Sequence, residues 1–233
     1  MTPAQRMRTL RTLLHRMLRS PFNQCSYRTA LKSAGLPKLY KDIEKDYVSG
    51  EFKGLRLLDI GTGQTVWEID KWRCRMGITE FCCWDPNPET EHTDISPILE
   101  ALAEPVDIVT CSNVICTLPQ MQRDEVLLLG ALAMKEKTGK FFLSSYPGNR
   151  SGVMSISRAG TLQCNQPSLF KWLIRHGMFR CFNRIWRLPY SQCCCLNEGS
   201  WDRSLALYKD RLKTAPKVEV VEDHTCAGRS RDR

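Results

Sequence analysis

Two glycines and two acids, at a particular spacing, are the residues of this chain best placed to do chemistry. The run Leu57-Leu58-Asp59-Ile60-Gly61-Thr62-Gly63 ends a short apolar stretch with glycines where a strand would turn into a helix. Lacking a Cβ, the backbone there can lie against a ligand that a side chain would repel. The N–H groups that open the next helix would point toward a negative group on that ligand. Asp85 follows twenty-two residues after Gly63, at the end of a second strand-like run. A carboxylate in that place can accept hydrogen bonds from both hydroxyls of a ribose. A dinucleotide-binding turn carries three glycines as GxGxxG. The third position here is Val66, which speaks against a pyrophosphate.

Other reactive side chains form no such pattern. Twelve cysteines are scattered through the chain with no CxxC pair, so zinc-ribbon and thioredoxin chemistry have no support and no metal site is expected. Cys82 and Cys111 sit inside strand-like runs, where a reduced thiol packs as a small hydrophobe. The triplet Cys193-Cys194-Cys195 reads as a strand of reduced thiols, and with the rest implies a reducing, cytoplasmic setting. His92 and Asp94 are poorly placed to act as a base, and His176 reads as structural. No general base is named.

Positioning the glycines and Asp85 requires strands that alternate with helices. Residues 55–60 form an apolar run typical of a strand buried on both faces. A helix over 65–76 follows, opened by a capping box of Thr65 and Glu68 and closed by Gly77. Strand 80–84 ends at Asp85, helix 96–103 leads to strand 106–111, and helix 121–136 feeds strand 140–146. A further helix after Asn165-Gln166-Pro167 ends at Gly177, before strands over 179–187 and 190–196. No third strand is evident between Asp85 and Val106. The expected fold is α/β, a mostly parallel sheet with helices on both faces and an N-terminal helical cap.

The N-terminal part, 1–48, reads as a basic helical extension of the main domain, 49–200, and 201–233 as a polar, loose tail. Met7, Leu10, Leu13, Leu14, Met17 and Leu18 fall at helical spacing among five arginines, followed by short helices over 26–34 and 38–48. The extension suits a cap packed on the domain, a contact with nucleic acid or anionic lipid, or a transit peptide. No apolar run approaches a membrane span and no secretory signal is evident. Charge is segregated. Residues 1–41 carry nine Lys/Arg and no acid, 42–136 carry eight against eighteen acids, and 137–197 carry nine and again no acid.

The order strand, DxGxG, helix, strand, Asp resembles the Rossmann-like methyltransferases that bind S-adenosylmethionine, over residues 55–146 and more weakly to 196. The resemblance implies S-adenosylmethionine as cofactor, with Asp59, Gly61, Thr62 and Gly63 around its methionine part and Asp85 on its ribose. Residues 107–118, DIVTCSNVICTL, resemble the fourth strand of that family, whose carboxyl end borders the transferred methyl. This adds Ser112 and Asn113. The (D/N)PP(Y/F) loop of exocyclic-amine methyltransferases and the Pro-Cys nucleophile of cytosine-C5 enzymes are both absent. From Ser112 to Arg187 the chain is similar to methyltransferases of phages and mobile elements, which implies a polar substrate-side loop with Arg150, Arg158, Gln163 and Asn165 beside Asn113. The two acid-free segments then fall on the acceptor side and favour an anionic acceptor, nucleic acid foremost. Two other classes compete with an active methyltransferase: a nucleotide-dependent enzyme such as an oxidoreductase, and a catalytically degenerate domain that serves as a nucleic-acid-binding module.

Overall fold

The computed structural model describes residues 2–19, 35–47, 50–63, 65–86, 93–115, 118, 120–135 and 138–145, together with strand residues 155–156, 162–163, 178–180 and 192–196. The expected helices over 26–34 and 167–177, and the tail 201–233, lie outside these residues.

Among the described residues there are five helices and eight strands. Helices α1 (Pro3–Leu18) and α2 (Lys38–Asp46) precede β1 (Arg56–Ile60), α3 (Val66–Met76), β2 (Glu80–Trp84), α4 (Ser96–Ala101), β3 (Ile108–Ser112), α5 (Gln120–Ala133) and β4 (Lys140–Ser145). Four short strands follow: β5 (Ser155–Ile156), β6 (Leu162–Gln163), β7 (Met178–Arg180) and β8 (Gln192–Leu196). The main sheet has the order β2-β1-β3-β4-β8-β7. Its first four strands are parallel, and β8 runs antiparallel to both β4 and β7. The Cys193–Cys195 triplet is therefore part of an interior strand, with Cys194 opposite Leu143 on one side and Arg180 on the other. Among the described residues no strand intervenes between β2 and β3, in keeping with the gap seen in the sequence.

Two apolar layers sandwich the sheet. Leu58, Ile60, Val109, Cys111, Phe141 and Leu143 join residues of α1, α4 and α5 in one cluster. Leu57, Ile108 and Phe142 join α2 and α3 in the other. Successive residues of β1, β3 and β4 thus serve opposite faces, the period-two pattern of a strand covered on both sides.

The N-terminal segment is built into these cores. A capping box opens α1, with Gln5 N donating to Thr2 Oγ1 at 3.2 Å and Thr2 N to Gln5 Oε1 at 3.0 Å. Its stripe of Leu10, Leu13, Leu14 and Met17 is buried against α5 and α4. Arg6 donates to the carbonyls of Leu102 at 2.6 Å, Ala103 at 2.7 Å and Leu132 at 3.0 Å, which satisfies acceptors left over at helix ends. Arg16 pairs with buried Glu125 at 2.8 Å. The helix thus forms a cap packed on the sheet's helices.

Three local expectations need correcting. The capping box on α3 does not form, because Thr65 has ψ near 10° rather than extended geometry. Its hydroxyl instead donates to Thr62 O at 2.8 Å, and Glu68 faces Lys71 at 3.7 Å. β3 begins at Ile108, since Val106 forms only an isolated bridge with Met134. That same bridge ends α5 at Ala133, short of the expected boundary. Gly77 does close α3, in the left-handed conformation at φ 78°.

Candidate functional site

In this sheet the chain leaves β1 toward β2 on one side and later returns to β3 on the other. The carboxyl ends of β1 and β3 thus flank a topological switch point, where open α/β sheets form a crevice for ligands. The glycine turn and the Ser112-Asn113 pair both lie at this edge.

The turn is held from three directions. Gly61 has φ 76° and its N–H donates to Trp84 O at 2.7 Å. Gly63 has φ 57° and its N–H donates to Asp85 Oδ2 at 2.8 Å. Both glycines use left-handed geometry that a Cβ disfavours. Buried Thr62 lies between them, its hydroxyl 3.4 Å from Asp59 O. A Cβ on Gly61 would come within 2.2 Å of Val114 Cγ2. At this glycine the close approach is therefore to the protein's own β3–α5 connection, which interlocks with the turn across the switch point. Asp85, itself buried, ties the tip of the turn to the end of β2.

Asp59 points inward. Its side chain is 1% exposed, and Oδ1 accepts from Thr110 Oγ1 at 2.6 Å and from the Tyr40 hydroxyl. Burial raises the carboxyl above its ordinary range, while the hydrogen bonds from Thr110 and Tyr40 pull it back down. Burial likewise lifts the Tyr40 phenol well above its usual value. The acid of the DxGxG run thus anchors the base of the turn, joining α2, β1 and β3.

At the end of β3, Ser112 Oγ lies 3.3 Å from Ser144 Oγ on β4. Asn113 is exposed, with φ 61°, and its N–H donates to Ser144 O at 2.9 Å. It is the one non-glycine of positive φ among the described residues, and asparagine tolerates that geometry better than most side chains. Burial pushes the Cys83 thiol up to about 12 and the Cys82 thiol to about 11, so neither offers a thiolate nucleophile near neutral pH. No group of three or more His, Cys, Asp or Glu suited to a metal occurs among the described residues.

The structure thus gathers Asp59, Gly61, Thr62, Gly63, Asp85, Ser112 and Asn113 at one edge of the sheet. Gln163 belongs to β6, opposite Ser155 in a separate two-stranded ribbon. Arg150, Arg158 and Asn165 lie outside the described residues, as do His92 and His176. Asp94 accepts from Ser96 N at 2.9 Å, at the start of α4. Sequence reasoning missed Tyr40, Thr110 and Val114. A threonine inside the apolar run of β3 was the available hint for Thr110, whereas nothing local marks Tyr40 or Val114. No described helix is long and apolar enough to cross a membrane.

No protein-family profile matches the chain, and no curated protein matches it. Solved structures do. The chain is similar to a SAM-dependent methyltransferase from Archaeoglobus fulgidus, at 20% identity over 61% of this chain and 68% of that one, with TM-score 0.42. It is similar to 1,6-didemethyltoxoflavin-N1-methyltransferase from Burkholderia thailandensis, crystallised with S-adenosylhomocysteine, at 12% identity over 69% and 76% and TM-score 0.47. Magnesium protoporphyrin IX methyltransferase from Synechocystis PCC 6803, also with S-adenosylhomocysteine, is similar at 15% identity over 69% and 80% and TM-score 0.40. With its parallel β2-β1-β3-β4 core, helices on both faces and a glycine turn at the switch point, the chain has a Rossmann-like α/β fold.

Proposed function

We propose that this chain is an S-adenosylmethionine-dependent methyltransferase. The observation that carries the reading is the hydrogen bond from Gly63 N–H to Asp85 beside the switch point. It brings the left-handed glycine turn and the acid after β2 together at the edge where such a cofactor would lie. The residues fit the group. A carboxylate beside that edge suits the hydroxyls of a ribose. Val66, half-buried at the start of α3, stands where the dinucleotide fingerprint has its third glycine, which lets helix and strand pack closely.

When bound, S-adenosylmethionine supplies a methyl group already activated by its sulfonium. The chain's own task is then to orient donor and acceptor and to exclude water. Thr62 and Gly63 offer backbone at the end of β1, Gly61 seats the turn against Val114, Asp85 accepts from the ribose hydroxyls, and Ser112 and Asn113 border the acceptor side. Segregated charge favours an anionic acceptor. Within α1 that role falls to exposed Arg8 and Arg11, because Arg6 is engaged with three carbonyls and Arg16 with Glu125.

Calorimetric titration with S-adenosylmethionine and with NAD tests the cofactor reading: the first should bind and the second should not. Absence of S-adenosylmethionine binding overturns it. Transfer of labelled methyl into fractionated cell extract then identifies the acceptor class. Label in the nucleic-acid fraction, with oligonucleotide binding that weakens steeply with salt, supports an anionic polymer. Label confined to uncharged small molecules overturns the anionic reading.

A further inference from the structure

The buried triad of Tyr40, Asp59 and Thr110 spans three elements that only the tertiary fold brings together. Asp59 ends the part of β1 that leads into the glycine turn, two residues before Gly61. Thr110 stands opposite it in the register of β3. Tyr40 comes from α2, earlier in the chain than the first strand. All three side chains are buried, Tyr40 and Thr110 completely. Thr110 Oγ1 also lies 3.4 Å from the Tyr40 hydroxyl, so both donors converge on one carboxylate oxygen.

This arrangement is costly for mere cohesion. A carboxylate taken from water loses more hydration than one ion pair or a pair of hydrogen bonds readily returns, and an apolar residue of similar size often serves stability better. What charged hydrogen bonds supply beyond cohesion is direction. Here they fix the Asp59 backbone, and with it the exit angle of β1 into a turn whose two glycines both hold left-handed geometry. The Tyr40 ring is itself held in place, packed edge-on to Trp72 of α3 with centroids 4.9 Å apart. Leu39 and Ile43 bury the rest of α2 in the same cluster. The phenol is therefore presented to Asp59 by a rigid body anchored on both α3 and the sheet.

From this geometry we infer that Tyr40 is a positioning residue for the cofactor turn, through which α2 governs how tightly the site binds its ligand. The inference deepens the methyltransferase reading and rests on it for its consequence, though the effect on the turn stands apart from any ligand. Tyr40 touches neither cofactor nor acceptor in this role. It acts through Asp59.

The test compares Tyr40→Phe with Leu39→Ala in the whole 233-residue chain. Tyr40→Phe keeps the ring against Trp72 and removes only the donor. Leu39→Ala opens a cavity on the same helix and leaves the triad intact. Amide hydrogen exchange, followed without ligand, should show the Gly61 and Gly63 amides of Tyr40→Phe exchanging about tenfold faster, with the strand amides of β1 and β3 little changed. Leu39→Ala should lower protection across the core without singling out the turn. In calorimetry, Tyr40→Phe should weaken S-adenosylmethionine binding about tenfold, and Leu39→Ala less than threefold at a temperature where both are folded. Unchanged exchange at Gly61 and Gly63, or loss of protection no greater there than in the core, overturns the inference. So does Tyr40→Phe binding within twofold of the parent. If the parent fails to bind S-adenosylmethionine, the function proposed above falls, and the exchange measurement alone still decides the role of Tyr40.

Discussion

Alanine in place of Gly61 tests the interlock at the switch point. The new Cβ would lie 2.2 Å from Val114 Cγ2, with Val114 Cβ and Cγ1 at 3.3 and 3.4 Å. Carbon atoms ordinarily rest about 3.5–4.0 Å apart, so Val114 must move by more than an ångström or leave its rotamer. Forced overpacking of this kind costs about 1–3 kcal/mol. Holding alanine at a φ of 76° adds about 1–2 kcal/mol. The single variant should therefore lose about 2–5 kcal/mol. Val114→Ala removes the worst contact and leaves only the one at 3.3 Å, so in the double variant the overpacking disappears and the backbone cost remains. Urea denaturation of the parent, both single variants and the double variant closes the cycle. A favourable coupling of about 1–3 kcal/mol is expected, with m-values unchanged. Additivity within about 0.5 kcal/mol would refute the packing argument and return Gly61 to the ligand-contact role expected from the sequence.

Other consequences are as specific. Asp85→Ala removes the acceptor for Gly63 N–H and for the ribose, each bond to a charged group being worth about 1.5–3 kcal/mol. S-adenosylmethionine affinity should drop at least tenfold with the fold retained, and equal affinity would sink the assignment. Burial lifts the Glu125 carboxyl to about 7, with Arg16 pulling it down and Asp124 pushing it up. The folded state thus binds this proton more tightly than the unfolded chain, so stability should decline by at most about 3 kcal/mol as pH rises from about 4.5 to about 7. Glu125→Gln should flatten that decline in chemical-denaturation curves at several pH values, and parallel curves would count against it. Arg6→Met should cost about 2–3 kcal/mol through its three carbonyl partners, whereas exposed Arg8→Met should stay within about 0.5 kcal/mol. Equal effects in thermal melts would show that Arg6 holds nothing together.

Much of the fold was legible because its signals are local. The apolar runs of β1 and β3 mark strands buried on both faces, and a glycine turn between strand and helix marks the edge of a parallel sheet. The stripe Leu10, Leu13, Leu14 and Met17 announced α1, and Gly77 its counterpart at the end of α3. What stayed hidden depends on groups far apart in sequence. Nothing near Arg6 tells that its partners are Leu102, Ala103 and Leu132. Thr65 and Glu68 satisfy the pattern of a capping box, yet the backbone of the turn rotates Thr65 away, since the loop must also place Gly63 against Asp85. Asp59 is legible as an important acid but not as an inward-facing one, because its partner Tyr40 lies 19 residues away on a helix before the first strand. The interior position of β8, running against its neighbours, is likewise a matter of topology that strand propensity does not encode.

The way α1 is held also fixes an order of assembly. Its apolar stripe closes against α5 and α4, and Arg6 reaches carbonyls 96 to 126 residues further along the chain. During synthesis the helix leaves the ribosome well before its partners, which are made only when translation passes Leu132. At about 5–20 residues per second that wait lasts roughly 6–25 seconds, long beside the roughly microsecond time in which a helix forms. The β1-α3-β2 unit meanwhile has its β1–β2 pairing within a short stretch of chain and can settle earlier. The helix is thus made long before it can dock, and throughout that interval it presents an uncovered amphipathic face to whatever chaperone stands at the exit.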